Sequence, residues 1–301
     1  MAVLTAAVPA RLTRHPPFPP LNPARGTLFI VATPIGNLAD SSPRSIEILR
    51  AADLVACEDT RTSRTLLAHH GISAKVVALH QHNEKAQAEK LVALLAEGRN
   101  IALISDAGTP GVSDPGALLV EAAHRAGARV EPVPGPSAAI AAWSAAGFAS
   151  TGFRFMGFLN GKHAIEDPDP GEALILYEAP HRVARTVGAL LERFGPEREI
   201  VIARELTKKF EEVARMPLGE APAWLEGPHR QDGEFVLVLG PGRTKGERDL
   251  AEGERVLKIL SEKLPASDAA RLAARITGLP RNALYKASLQ ASPRSSSRKP
   301  K

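Results

Sequence analysis

A chain of 301 residues, 44% hydrophobic and 24% charged, is long enough for two domains and has the composition of an ordinary folded globular protein. No apolar run is long enough to span a bilayer, and the single cysteine, Cys57, leaves no disulfide framework and fits a reducing cytoplasm. The net charge of +5 is uneven: 14 Lys/Arg against 6 Asp/Glu lie from Pro241 to Lys301, leaving 24 against 27 elsewhere, which points to a phosphate-bearing partner held from the C-terminal end, with a solvated tail as the alternative.

Residues 1–25 hold a short apolar stretch broken by Pro9 and then a proline cluster, and are expected to form a disordered extension. From there apolar runs alternate with helical periodicity. Strands are predicted at Leu28–Ala32, Leu54–Cys57, Val76–Leu79 and Ile101–Ile104, and helices at Ser45–Arg50, Thr62–His69, Glu84–Glu97 and Ala117–Arg125. Gly71, Gly98 and Gly127 follow the last three helices as stop signals. This alternation predicts a mostly parallel sheet covered on both faces.

Beyond Gly147 the grammar changes. Strands are predicted at Phe153–Phe158, Ala173–Tyr177, Ile200–Ala203, Glu211–Met216 and Glu234–Leu239, with one clear helix at Arg182–Phe194, so a mixed sheet follows. Helices at Leu250–Leu264, Ser267–Ile276 and Arg281–Gln290 complete a small module after a polar linker. The expected organisation is an N-terminal α/β domain at 26–148, a second α/β domain at 149–240, a helical module at 241–290 and a basic tail at 291–301.

Two glycine- and proline-rich segments stand out. SDAGTPGVSDPG runs from Ser105 to Gly116 after one apolar strand, and PVPGPSAA from Pro132 to Ala139 before an alanine-rich helix. Both fall where a parallel strand hands over to a helix, the rim at which open α/β sheets bind ligands. An ordinary connection there needs only about two to six residues. A third loop, ATPIGNLAD from Ala32 to Asp40, lacks the spacing of a dinucleotide or P-loop fingerprint. His80 and His82 are the only histidines near metal-ligand spacing, so no metal is expected. Cys57 ends an apolar strand and reads as core, and no nucleophile elbow is present. With aromatics at 4%, base stacking across a sheet of exposed rings is not expected, and an RNA partner would be met mainly through shape and phosphate.

ATPIGNLAD, ACEDTR (Ala56–Arg61), HQHNE (His80–Glu84), SDAGTPGVSDPG, PGPSA (Pro134–Ala138), YEAPHR (Tyr177–Arg182) and ARELTK (Ala203–Lys208) occur in this order. Together they resemble the 16S rRNA cytidine 2′-O-methyltransferases, a branch of the tetrapyrrole methylase superfamily. The likeness covers roughly Gly26 to Gly240, and the C-terminal ITGLPRNALY stretch is similar to that family's appended small domain.

The resemblance implies an α/β tetrapyrrole-methylase-like fold of two domains. It also implies S-adenosylmethionine as cofactor, a homodimer, and a cytidine ribose of 16S rRNA in the small ribosomal subunit as substrate. The matching cofactor positions are Ile35, Asp106, Thr109, Ser137 and Ala138, with Tyr177 and Glu234 matching more loosely. Asp106 could accept a hydrogen bond from the methionine ammonium or a ribose hydroxyl, or simply serve as a turn aspartate. A ribose 2′-hydroxyl needs a proton acceptor. The nearby candidates are Glu58, Asp59, His82, Glu84 and Asp114, of which Asp59 and His82 are favoured, while an ion pair of Glu58 or Asp59 with Arg61 or Arg64 is the alternative. Arg61, Arg182 and Lys208 lie where they could meet phosphate, unless neighbouring acids hold them. One departure is the segment Asn160–Glu172, NGKHAIEDPDPGE, where the family usually carries a basic helix. A tetrapyrrole carbon methyltransferase is the nearest enzymatic alternative, although its usual G-x-G-x-G-D first loop is not matched here, and a non-catalytic RNA-binding assembly factor is the other.

Overall fold

The computed structural model describes residues 26–150, 152–159, 171–242, 245–280 and 284. The disordered extension at 1–25, the basic-helix departure at 160–170 and the tail at 291–301 lie outside the described residues, as does all but Leu284 of the last predicted helix. Two compact units emerge. One comprises residues up to 145 with 203–213 and 233–236, and the other comprises 146–202, 214–232 and the chain from 237 onward.

The first unit is built on five strands: β1 (Thr27–Val31), β2 (Leu54–Cys57), β3 (Val76–Ala78), β4 (Ile101–Leu103) and β5 (Arg129–Val133), in the order β3-β2-β4-β1-β5. Every pairing in it is parallel, with Leu28 opposite both Ile101 and Val130, and Val55 opposite both Ala102 and Val76. Alternate residues feed two cores. Leu28, Ala56, Ile101 and Leu103 face Leu91 and Leu95 of α3 (Glu84–Ala96) and Leu119 of α4 (Ala117–Arg125). Phe29, Val31, Val55, Cys57 and Ala102 face Ile48 and Leu49 of α1 (Pro43–Ala51) and Leu67 of α2 (Thr60–His69). This period-two division of short, doubly buried strands is what the sequence pattern predicts for a parallel sheet covered on both faces.

Local chemistry fixes the helix starts. Ser42 caps α1 by accepting the Ser45 N–H at 3.0 Å, with Pro43 in the first turn. The start of α4 lacks a cap of its own; Glu84, 8% exposed, reaches across from α3, and its Oε1 accepts the N–H groups of Gly116 at 2.8 Å and Leu118 at 2.9 Å. A carboxylate there satisfies two otherwise unpaired donors and faces the positive end of the helix dipole. Glu84→Ala is therefore expected to cost about 1.5–3 kcal/mol in chemical denaturation. A change below about 0.5 kcal/mol would show the contact to be incidental.

The second sheet has the order β6-β7-β10-β8-β9, from β6 (Gly152–Phe158), β7 (Glu172–Glu178), β8 (Glu199–Arg204), β9 (Glu212–Pro217) and β10 (Phe235–Leu239). It is mixed, as expected, and β6 and β7 run parallel with a bulge between Phe155 and Gly157. Three further helices precede the C-terminal module: α5 (Ala138–Ala146), α6 (Val183–Phe194) and α7 (Ala221–Leu225). The module follows as α8 (Lys245–Ser261) and α9 (Ala266–Thr277), packed around Leu257, Ala269, Ala270, Ala273 and Leu284. Helix α8 starts five residues before the predicted Leu250, inside the supposed linker, because GERDLAEGER is rich in good helix formers as well as charge. No helix among the described residues is long and apolar enough to cross a membrane.

Candidate active site

The three loops singled out above leave β1, β4 and β5, which are neighbours in the sheet although distant in sequence, and their hydrogen bonds join them into one rim. Thr33 and Gly108 form an antiparallel bridge, N–H to carbonyl in both directions at 2.8 and 3.1 Å. The Thr33 hydroxyl donates to the Ser105 carbonyl at 3.1 Å, and the Ser105 hydroxyl to the Gly108 carbonyl at 3.2 Å. The Thr109 hydroxyl reaches the Pro136 carbonyl at 3.0 Å and so ties in the loop after β5. Ile35, Asp106, Thr109, Ser137 and Ala138 accordingly sit on a shared rim of hydrogen-bonded loops, with Ile35 nearly buried and Asp106 exposed.

A fourth segment closes on the first loop. The turn Glu205–Lys208 presses against Gly36: a Cβ there would lie 2.5 Å from Lys208 Cγ and 3.0 Å from Thr207 Oγ1, so only glycine fits. The turn is strained, with φ of +51° at Glu205 and +66° at Thr207, conformations that cost roughly 1–3 kcal/mol each and gather at functional sites. The Thr207 hydroxyl is buried and has no hydrogen-bond partner among the described residues. The turn is held by Lys208, whose Nζ lies 2.9 Å from both Glu205 Oε1 and Glu234 Oε2, and by the Glu234 N–H, which donates to Glu205 Oε1 at 2.9 Å.

Asp106 Oδ1 accepts the Asp59 N–H at 3.0 Å, tying the β4 loop to the end of β2, while its Oδ2 makes no hydrogen bond among the described residues. Around it lies a group of acids. Asp114 is pushed up to about 6, first by burial and then by the Glu58 charge, while the neighbouring Ser105 hydroxyl acts in the opposite sense. Burial, followed by the Asp106 charge, likewise raises Glu58, although His80 acts in the opposite sense. The Nδ1 atom of His80 is buried without a partner.

This geometry bears on several expectations. Asp59 caps α2 through the Arg61 N–H at 2.7 Å, and its carboxylate makes a forked pair with the Arg61 guanidinium. Those bonds hold it at about 2, too weakly basic to take a hydroxyl proton efficiently. Arg61 is accordingly engaged with Asp59 rather than left open for phosphate. His82 is exposed and lines a groove of about 300 Å³ with Gln81, Asn83, Lys85, Ala86, Glu89 and Leu118. It has a ring contact with His80 and no hydrogen bond to the acids. Glu84 serves as the buried cap described above. Lys208 is held by two carboxylates. In the second unit, Arg182 Nε lies 2.7 Å from Oε1 of buried Glu178, an ion pair whose angles fall short of a hydrogen bond. Glu178 also accepts from the Ala179 N–H and the Thr186 hydroxyl. Tyr177, half-buried on β7, packs edge-on against Phe155 and Phe158. Sequence reasoning weighed Asp114 without favouring it and missed Thr207, whose only sequence signal was its place in the ARELTK motif.

The rim thus offers an open carboxylate oxygen and backbone edges, with a carboxylic acid of raised proton affinity alongside. Among the described residues no three His, Cys, Asp or Glu side chains are grouped to hold a metal ion. Such a set suits a ligand bearing hydroxyls and an ammonium, together with a proton transfer.

Comparison with known proteins agrees with the order of motifs. Residues 27–222 match the family of Tetrapyrrole (Corrin/Porphyrin) Methylases, and residues 247–292 match the RsmI C-terminal HTH domain. The ribosomal RNA small subunit methyltransferase I of Xylella fastidiosa strain Temecula1 is 48% identical over 270 residues, covering 86% of this chain and 98% of its own. The protein of that name from Escherichia coli O157:H7 is 48% identical over 277 residues, covering 89% and 96%. Among solved structures, uroporphyrin-III C-methyltransferase of Thermus thermophilus superposes with a TM-score of 0.54 at 24% identity, covering 72% of this chain and 94% of that one. A form of that enzyme complexed with S-adenosyl homocysteine gives 0.51 at 19%, covering 71% and 97%. These two structures share the fold.

Proposed function

Since the chain belongs to the tetrapyrrole methylase family, and within it to the ribosomal RNA small subunit methyltransferase I group, we propose that it transfers a methyl group from S-adenosylmethionine to a cytidine ribose 2′-oxygen of 16S rRNA. The protein is an S-adenosylmethionine-dependent rRNA methyltransferase; the 2′-oxygen, the small-subunit context, the homodimer and the cytoplasmic setting are the finer parts of the proposal. The observation that carries it is the rim itself: three loops locked by hydrogen bonds, with Asp106 Oδ2 left without a partner among the described residues. A cofactor with an ammonium and ribose hydroxyls supplies a partner for that oxygen.

When bound, the cofactor supplies an electrophilic methyl group on a sulfonium. The work of this chain is alignment and proton handling. Asp106 accepts a hydrogen bond from the cofactor. Ile35, Thr109, Ser137 and Ala138 shape its seat, and Tyr177 and Glu234 are proposed as further contacts. Asp114 takes the 2′-hydroxyl proton, since a carboxylate titrating near 6 is ionised at neutral pH yet basic enough to matter.

Asp106→Ala is expected to weaken cofactor binding roughly 10- to 150-fold by calorimetry, the range for one hydrogen bond to a charged group. Unchanged affinity would remove Asp106 from the site. For the reaction, purified protein with methyl-labelled cofactor and unmodified small ribosomal subunits is expected to label a cytidine 2′-oxygen. Absence of labelled rRNA would sink the proposal.

A further inference from the structure

Phe210 is 63% exposed, directly beyond the strained turn that closes on Gly36, and nothing in the mechanism above uses it. A ring so exposed beside a cation presents a π face on which a nucleobase can stack. Its mounting is rigid. The Lys208 N–H donates to the Glu205 carbonyl at 3.0 Å, the Glu211 N–H to the Lys208 carbonyl at 3.1 Å, and the Thr207 N–H to Glu211 Oε2. The ammonium of Lys209 sits 5.3 Å from the ring centroid. The adjoining acids are engaged: Glu205 and Glu234 by Lys208, Glu211 by Thr207, and Glu212 by Arg204 at 3.6 Å. Lys209, by contrast, pairs with no carboxylate among the described residues.

From this geometry we infer that Phe210 and Lys209 form a stacking finger for one unpaired base of the RNA substrate. The ring takes the base face, Lys209 meets the adjoining phosphate, and the turn holds both beside the cofactor loop. The inference rests on the rRNA methylation reading. It differs from an aromatic sheet face, which the composition argued against, because one ring on a stiff turn suffices for one base. A subunit contact is a weaker fit. Interfaces between stable copies bury about 800 Å² per partner, whereas the segment Ala203–Pro217 exposes two large apolar side chains, Phe210 and Val213, and a single aromatic side chain contributes only about 150–250 Å². The sequence-based assignment of Lys208 to phosphate thus moves one residue along, to the lysine that the acids leave available.

The test is steady-state methylation of unmodified small ribosomal subunits by wild type, Phe210→Ala, Phe210→Trp and Lys209→Ala, with cofactor calorimetry and sedimentation on each. Phe210→Ala is expected to raise KM for subunits roughly 5- to 150-fold, the effect of one lost base stack. Phe210→Trp should restore it, and cofactor affinity and sedimentation should stay unchanged. Lys209→Ala should raise KM and flatten its dependence on salt. The inference is overturned if Phe210→Ala leaves KM within about twofold of wild type, if tryptophan fails to rescue, or if the variant changes oligomeric state, which would make the ring a contact between copies. Loss of labelling by the wild type itself would instead refute the methylation reading on which this one stands.

Discussion

Asp114→Asn is expected to lower turnover roughly 10²- to 10⁴-fold, the contribution of a positioned proton acceptor, while cofactor affinity stays within about threefold. Asparagine keeps the size and the polar contact with Ser105 but cannot take a proton. The pH dependence gives an independent check. Asp114 is pushed up to about 6 by burial and by Glu58, with Asp106 adding and Ser105 opposing; Glu58 in turn feels Asp106, Asp59 and His80. The active form is the ionised one, so kcat should rise as pH passes about 6 and level off above it. For stability the sign is reversed. A carboxyl that resists ionisation in the folded state stabilises fully below its ordinary range near 3.8, and that stabilisation is lost as pH rises through about 6. Asp114→Asn should therefore melt no lower than wild type at pH 8, with any advantage gone below about pH 4. A variant that keeps its turnover, or melts well below wild type at pH 8, would show that Asp114 serves structure instead.

Gly116→Ala carries the largest expected effect on stability, about 2–5 kcal/mol. The glycine has φ of +131°, a conformation that alanine adopts only under strain, and an added Cβ would sit 2.7 Å from Leu103 Cδ2 on a buried strand. Strain of roughly 1–3 kcal/mol adds to overpacking of similar size. The Gly116 N–H also donates to Glu84, so a backbone shift that relieved the clash would weaken the cap of α4. Denaturant unfolding measures it. A loss under about 1 kcal/mol would mean that Leu103 and the loop can give way together.

How legible this was depended on the range of the forces involved. The first sheet was open to reading because Leu28–Ala32, Leu54–Cys57 and Ile101–Ile104 are short apolar runs bounded by turn residues, and burial on both faces demands that composition. The ligand loops were legible for a similar reason: glycine and proline in SDAGTPGVSDPG announce backbone geometry directly. Charge pairing was not. Lys208 looks available until Glu234, 26 positions on, is brought beside it, and Arg182 until Glu178 is seen to be buried. Asp59 is the instructive case, since its partner Arg61 is only two residues away and the pairing weighed as much as a catalytic role. Asp114 owes its proton affinity to burial and to neighbours from another strand, neither of which is written in its local sequence.

The order β3-β2-β4-β1-β5 also bears on how the protein is made. Strand β1 lies between β4 and β5, and Thr27 pairs with Arg129, so a ribosome synthesises this interior strand first and its two neighbours last. At about 5–20 residues per second, roughly 5–20 s separate the emergence of β1 from that of β5. Until β4 emerges TLFIV is an unpaired apolar segment that chaperones could engage, and until β5 follows the welded rim of Thr33, Gly108 and Pro136 has not yet been built. The seat at the rim is finished later still, because the turn Glu205–Lys208 that closes on Gly36 is made well after β5 has completed the sheet.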